Sequence, residues 1–190
     1  MGFHHVALAT RDTAATHRFY TEVMGFTLVK TNVSPTPGEH GGWSKHFFYA
    51  TSTDADGPPA GDAGMIAFWE IHDSENGEQF PVDINASAGL PWWVNHLAFD
   101  APTRADLDRH IQRWREHGET VLEIDHDFCV SIYIRDPNNN MVEFCHTVRD
   151  FTPAEREGAV RVLGDAAPPF DRHEPSFKVY EPIAVVAVAD

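Results

Sequence analysis

The sequence predicts an α+β protein of two β-α-β-β-β modules, at residues 3–72 and 94–147, which pair into one open, cup-shaped sheet of eight strands. Three observations support this prediction. Short segments rich in β-branched and aromatic residues alternate with turn residues, as is typical of strands. One amphipathic helical segment follows the first strand of each half. The two halves also align with each other, and each would bury one face of its sheet by pairing.

The first module starts with the strand His4–Ala9, and Asp12 is placed to cap the helix that follows it. Gly25 is expected to end this helix, because glycine adopts the left-handed conformation without strain. Three further strands are separated by loops rich in glycine and proline. These strands are Phe26–Thr31, Trp43–Thr51 and Met65–Ile71.

The second module repeats this order from the strand Val94–Asp100. Thr103 with Asp106 three residues later predicts a capping box, and Gly118 is expected to end the helix. The remaining strands are Thr120–Ile124, Ser131–Arg135 and Met141–Cys145, and the last two form a hairpin around the turn sequence DPNNN.

Residues 1–150 are therefore predicted to form one domain, and residues 151–190 an extension. Thr152 and Glu155 form a capping box with Pro153 at the first helical position, which predicts a helix to about Leu163. From Ala166 to Pro182 the chain is rich in proline and is expected to be irregular. Such an extension suits a lid or an arm around a partner subunit, and a homodimer is expected.

The composition indicates a globular protein, with 42% hydrophobic residues among 190. A net charge of -15 argues against nucleic acid or an anionic membrane as partner, because both would be repelled. The absence of a signal peptide or a long apolar run favours a cytoplasmic protein. Cys129 and Cys145 form neither a CxxC pair nor a disulfide framework, which fits a reducing compartment.

Candidate metal ligands come from the alignment of the two halves. His5 and His96 occupy equivalent positions on the first strand of each module, and Glu143 lies between apolar residues on the last strand. A carboxylate in that place is costly unless it is exposed, paired or bound to a cation. Two imidazoles and one carboxylate suit Fe(II), and also accept Mn(II), Co(II) or Zn(II). His4 is the alternative to His5, but it does not align with His96 and would face the other side of the strand.

The segments HHVALATRD, NHLAFD and IYIRDPNNNMVEF resemble the signatures of the vicinal oxygen chelate superfamily. This superfamily includes glyoxalase I, extradiol dioxygenases, methylmalonyl-CoA epimerase, and fosfomycin- and bleomycin-resistance proteins. The resemblance covers about residues 3–150 and implies a divalent metal held by His5, His96 and Glu143. It does not indicate the reaction, because members share a metal cup and differ in chemistry.

Glyoxalases and epimerases add a fourth ligand from the last strand of the first half. The alignment of MIAF with MVEF places Ala67 at this position, and alanine cannot coordinate a metal. Glu70 is the nearest alternative, but it lies on the other face of an ideal strand unless a bulge intervenes. The resemblance therefore implies three side-chain ligands, with adjacent positions left for substrate, water or oxygen.

Tyr133 precedes Glu143 by ten residues across the hairpin, and this spacing resembles that of a tyrosine near the metal in extradiol dioxygenases and fosfomycin-resistance proteins. A strand tyrosine that only packs its ring is the alternative. Proton transfer would need a histidine, and His126, His46 and His72 are candidates, with His126 assigned beside Tyr133.

The hypothesis that follows is an extradiol-type, ring-cleaving dioxygenase that binds a small aromatic substrate. A redox-neutral lyase, isomerase or epoxide-opening transferase on the same site is the first alternative. A non-catalytic protein that sequesters a small molecule is the second, although such proteins generally lack the ligand set. Four indoles suit an aromatic pocket, a core or a subunit interface equally well; they are Trp43, Trp69, Trp92 and Trp93.

Overall fold

The computed structural model describes residues 3–39, 41–51, 64–74, 79–171 and 173–184. Most of the glycine- and proline-rich loop before Met65 and the end of the C-terminal extension lie outside these residues. The chain divides into two compact units. Unit 1 comprises Met1–Leu97 with Arg135–Val142, and unit 2 comprises Ala98–Ile134 with Glu143–Asp190.

Unit 1 contains a four-stranded sheet, whose strands are β1 (His5–Ala9), β2 (Thr27–Pro35), β3 (Gly42–Ala50) and β4 (Met65–Asp73). The strand order is β1-β4-β3-β2. β1 and β4 are parallel, whereas β3 is antiparallel to both β2 and β4. This confirms the first predicted β-α-β-β-β module, with most boundaries within two residues of the prediction.

The helical segment after β1 packs on one face of this sheet. It begins as α1 (Thr13–Arg18) and continues as a wider helical turn over Phe19–Val23. Asp12 caps it as predicted, because its Oδ1 accepts the backbone N–H of Ala15 at 2.8 Å. Tyr20 is fully buried, with its ring 4.7 Å from that of Phe68 on β4. The helix is therefore held on the sheet by aromatic packing.

The second sheet has five strands, which are β5 (His96–Asp100), β6 (Val121–Asp125), β7 (Cys129–Arg135), β8 (Met141–Thr147) and β9 (Ser176–Tyr180). Its order is β5-β8-β7-β6-β9, so the first four strands repeat the order of the first sheet. A short helix, α2 (Ile84–Ser87), precedes β5, and α3 (Arg104–Glu116) follows it. The second module and the α+β class are thus confirmed.

Helix α3 covers one face of the second module. The predicted capping box is present, because Thr103 and Asp106 each bond the backbone N–H of the other. Leu107 and Trp114 are fully buried on the helix face that meets the sheet. Gly118 follows the helix with φ +89°, a conformation that glycine adopts without strain.

The C-terminal extension differs from the prediction in one respect. Its helix, α4 (Pro153–Leu163), has the predicted capping box of Thr152 and Glu155. The segment expected to be irregular instead contains β9, which pairs antiparallel with the edge strand β6. An edge strand presents unpaired backbone groups, and these accept an added strand. All eight strands predicted for the two modules are present, and β9 from the extension adds a ninth.

Among the described residues, the helices are all too short or too polar to span a membrane.

Candidate functional site

The face of the first sheet that carries His5 is defined by strand register. In the parallel pair of β1 and β4, His5 lies opposite Met65 and Ala7 opposite Ala67. Because partners in register point to the same face, His5 and Ala67 share one face. Ala67 is fully buried. The position expected to supply a fourth metal ligand, Ala67, thus lies on the same face as His5 and carries only a methyl group.

Glu70 lies on the opposite face. The register of β3 with β4 is continuous through Glu70, so no bulge turns its side chain over. Its carboxylate accepts hydrogen bonds from Thr13 at 2.7 Å and Lys45 at 2.8 Å, and contacts His72 at 2.7 Å. Burial alone would raise the pKa of Glu70, but these hydrogen bonds outweigh it and lower the pKa to about 2. Glu70 therefore belongs to an ion-pair network beside α1.

Aromatic side chains surround His5 on its own face. The ring of Phe48 lies 5.5 Å from that of His5, and the ring of His46 lies 6.2 Å away. His46 in turn stacks on Trp69, with 3.9 Å between ring centroids. The nearest polar neighbour of His5 is His4, whose Nδ1 is 2.7 Å from that of His5. The predicted first ligand is thus exposed beside a flat aromatic wall.

The two other histidine candidates of the first module, His46 and His72, lie on opposite faces of the sheet. His72 stacks on Trp43, with ring centroids 3.8 Å apart, on the face that carries Glu70. Of the three alternative proton carriers, His46 is therefore on the face of His5 and His72 is not. Burial, followed by the charge of His5, lowers the pKa of His46.

Glu143 lies in unit 2 on β8 and is only 5% exposed. Two backbone hydrogen bonds fix the register of its hairpin, from Asp136 N–H to Asn140 O and from Val148 N–H to Phe128 O, both 2.9 Å. A regular antiparallel ladder between these bonds places Tyr133 opposite Glu143. The next residue on β8, Phe144, points to the other face of the sheet. There the ring of His110 on α3 stacks on the Phe144 ring, with 3.6 Å between ring centroids.

Tyr133 connects Glu143 to a histidine. The Tyr133 hydroxyl lies 2.9 Å from Nε2 of His126. Burial is the main cause that raises the pKa of Tyr133, and the charge and hydrogen bond of Glu143 add to it. The tyrosine therefore keeps its proton at neutral pH. The structure brings together His126, Tyr133 and Glu143, while their catalytic roles remain predictions.

Two thiols and a hydroxyl extend the polar face around Glu143. Cys129 Sγ lies 3.9 Å from Ser131 Oγ, and both cysteines are free. Burial first, and then the hydrogen bond of Cys145, raise the pKa of Cys129 to about 12. Sequence reasoning missed Ser131, although its alternation with Tyr133 on β7 places the two on one face.

The predicted metal ligands are distributed over both units. His5 and His96 belong to unit 1, and Glu143 belongs to unit 2. Both histidines are exposed, and Nδ1 of His96 lies 3.3 Å from the carbonyl oxygen of Val94. Within the described part of the chain, no three side chains of His, Cys, Asp or Glu lie close enough together to hold a metal ion. The three-residue metal centre remains a prediction.

Comparison with known families gives the class of the protein. The family description "Glyoxalase/Bleomycin resistance protein/Dioxygenase superfamily" matches residues 2–144, three quarters of the chain. The chain therefore belongs to the glyoxalase/bleomycin resistance protein/dioxygenase superfamily, the vicinal oxygen chelate type of protein. No curated protein matches the chain.

Several solved structures are similar to the chain, and the first of the three described here has the same fold. A glyoxylase/bleomycin resistance protein/dioxygenase domain from Frankia sp. EAN1pec has a TM-score of 0.52 at 19% identity, covering 80% of this chain and 95% of its own. A lactoylglutathione lyase from Agrobacterium tumefaciens has a TM-score of 0.45 at 21% identity, with coverage of 76% and 92%. A variant of the fosfomycin resistance protein FosX from Listeria monocytogenes, solved with Mn(II) and dihydroxypropylphosphonic acid, has a TM-score of 0.48 at 18% identity, with coverage of 82% and 97%.

Proposed function

We propose that this protein is a divalent-metal-dependent enzyme, and specifically an extradiol-type dioxygenase that cleaves the ring of a small aromatic substrate. The observation that carries the proposal is the pair Ala67 and Glu70. Ala67 occupies the fourth-ligand position on the face of His5, and Glu70 is engaged on the opposite face. A metal held by only three side chains would have coordination positions left for a substrate and for dioxygen.

The proposed ligands are His5, His96 and Glu143. Two neutral imidazoles and one carboxylate suit Fe(II), which we favour, and also accept Mn(II), Co(II) or Zn(II). The nearly buried Glu143 fits this set, because a carboxylate removed from water is stabilised by a cation. When bound, the metal would supply Lewis acidity and, as Fe(II), the activation of dioxygen.

Tyr133 and His126 are proposed to move the proton. The Tyr133 hydroxyl is protonated and lies 2.9 Å from Nε2 of His126, so it can give a proton to one side while it takes a proton from the other. A hydroxylated aromatic ring that binds beside Glu143 must lose a proton. The hydroxyl oxygen of Tyr133 would accept this proton and pass its own proton to Nε2 of His126.

The aromatic wall beside His5 supports an aromatic substrate. Phe48, His46 and Trp69 present ring faces and edges in place of flexible aliphatic chains. Such a surface binds a flat ring by stacking and edge contacts. We propose that the substrate ring lies against this wall.

A redox-neutral reaction is the second candidate. The neighbouring His126 and Tyr133 favour it, because a proton relay serves a lyase, an isomerase or an epoxide-opening transferase equally well. A homodimer in the cytoplasm is part of the same proposal.

Anaerobic purification with metal analysis, followed by oxygen-uptake assays against a panel of catechols, tests the proposal. We expect one divalent metal ion for each chain and oxygen uptake with at least one catechol. Bound metal without oxygen uptake would replace the dioxygenase with the redox-neutral enzyme. A protein that binds no metal after reconstitution would overturn the metal-dependent enzyme altogether and favour a sequestering protein.

A further inference from the structure

The side chain of Asn85 on α2 makes its hydrogen bonds to the backbone of one loop, residues 92–95. Asn85 is 1% exposed. Its Nδ2 donates to the carbonyl oxygens of Trp92 and Asn95, both at 2.8 Å, and its Oδ1 accepts the backbone N–H of Asn95 at 2.7 Å. Both amide protons and the amide oxygen are thus used on the backbone of residues 92–95. A buried amide that is fully paired in this way fixes its partners.

This loop leads directly into β5, whose first residue is His96. Val94 lies between the two residues that Asn85 holds, and its carbonyl oxygen is 3.3 Å from Nδ1 of His96. A backbone carbonyl that accepts Nδ1–H directs the ring and leaves Nε2 with its lone pair. Asn85 therefore fixes the backbone on both sides of the group that orients His96.

The position of Asn85 is itself fixed from the hairpin turn. Asp83 caps α2, because its Oδ1 accepts the backbone N–H of Asn85 at 2.9 Å. Its other carboxylate oxygen, Oδ2, accepts a hydrogen bond from the side-chain amide of Asn139 in the turn. The next residue, Ile84, donates its backbone N–H to Oδ1 of the fully buried Asn140 at 2.9 Å. These residues all belong to unit 1, so α2 is anchored on the turn and holds the loop before His96.

We propose that Asn85 is a positioning residue for His96, which orients the imidazole through the carbonyl of Val94 so that Nε2 is presented for a metal ion. The proposal rests on the proposed metal-dependent function. It predicts that Asn85 influences the affinity for the metal ion without contacting the metal itself. Partners of this kind typically change affinity 10- to 100-fold when they are lost, which is about the effect expected here.

The test compares Asn85→Ala with Asn138→Ala, a matched control. Asn138 is also a buried asparagine, 5% exposed, but it bonds the Thr10 and Thr16 side chains instead of the loop. Both variants lose a buried amide, and only Asn85→Ala releases the residues before His96. Should Asn85→Ala fail to fold, Asn85→Asp keeps the Oδ1 acceptor for Asn95 and loses both donors.

Two measurements are made on folded protein, namely Co(II) affinity by titration and amide hydrogen exchange of residues 93–97. We expect Asn85→Ala to bind Co(II) about 10- to 100-fold more weakly than wild type and to exchange faster in this segment. Asn138→Ala should stay close to wild type in both. Equal losses in the two variants, or an unchanged Asn85→Ala, would overturn the positioning role. If wild type binds no Co(II), the metal-dependent function fails, and unchanged exchange in Asn85→Ala would then refute the positioning role separately.

Discussion

The buried histidine of α3 makes folding stability depend on pH. His110 is 7% exposed, its ring is stacked on Phe144, and its Nδ1 has no hydrogen-bond partner among the described residues. The pKa of His110 is lowered to about 4, mainly by burial and then by the charges of Arg113 and Arg109, while the charge of Asp106 opposes the shift. The folded protein therefore holds His110 neutral well below neutral pH.

The size of the effect follows from linkage. In the unfolded chain the imidazole titrates at its ordinary pKa of 6.5. Between that pH and about pH 4 the unfolded chain binds a proton that the folded protein does not, so stability rises with pH. The contribution of His110 is complete above pH 6.5 and is lost as the pH falls toward 4. Over the whole window it amounts to about 3 kcal/mol, of which about 2 kcal/mol is lost by about pH 5.

Urea unfolding of wild type and His110→Phe at about pH 7 and about pH 5 measures this loss. The phenylalanine keeps a ring against Phe144 and cannot titrate. We expect wild type to lose about 2 kcal/mol more than the variant between the two pH values. His173→Gln is the control, because it removes an exposed histidine from outside the core. Equal pH dependence of wild type and His110→Phe would refute the assignment of a buried, neutral His110.

Three further substitutions test the site. Glu143→Gln keeps the side-chain shape but removes the charge, so we expect metal stoichiometry to fall below that of wild type; equal, tight occupancy would contradict the ligand role. Tyr133→Phe should lower turnover about 10²- to 10⁴-fold with metal content unchanged, whereas an unaltered rate would make Tyr133 a packing residue. Glu70→Gln weakens the ion pair with Lys45, so we expect a lower melting temperature and unchanged metal content, and loss of metal would show that Glu70 is a ligand after all.

Much of the fold could be predicted because its signals are local. Asp12, Thr103 and Thr152 cap their helices through their own side chains, and each cap is recognisable from the neighbouring residues alone. The repeat of strand order adds a second signal, because two modules with the same pattern predict the same sheet. The face of Ala67 followed from this repeat and from strand alternation.

The parts that sequence did not predict depend on distant contacts. β9 forms because Ser176–Tyr180 meets the open edge of β6, about fifty residues earlier in the chain. Asn85 shows no pattern in the sequence that marks it as important. Its role is visible only when the loop from Trp92 to Asn95 folds back on it. Such pairings need tertiary structure to be seen.

The hairpin turn DPNNN has the composition of an exposed turn, but the structure buries most of its polar side chains. Asp136, Asn138 and Asn140 are each 5% exposed or less. Oδ1 of Asp136 accepts the backbone N–H groups of Asn138 and Asn140, and its Oδ2 accepts the Tyr20 hydroxyl at 3.1 Å. Burial raises the pKa of Asp136, and these hydrogen bonds oppose the rise. Asn139 takes the left-handed conformation with φ +67°, which asparagine tolerates.

This turn provides a physical reason for the register of the hairpin. A slip of one residue between β7 and β8 would move Glu143 to the face of α3 and separate it from Tyr133. The same slip would pull Asp136 and Asn140 away from their partners and leave buried polar groups unpaired. Only one register satisfies both the apolar face and the buried turn. The polar turn therefore selects the strand alignment that places the carboxylate beside Tyr133.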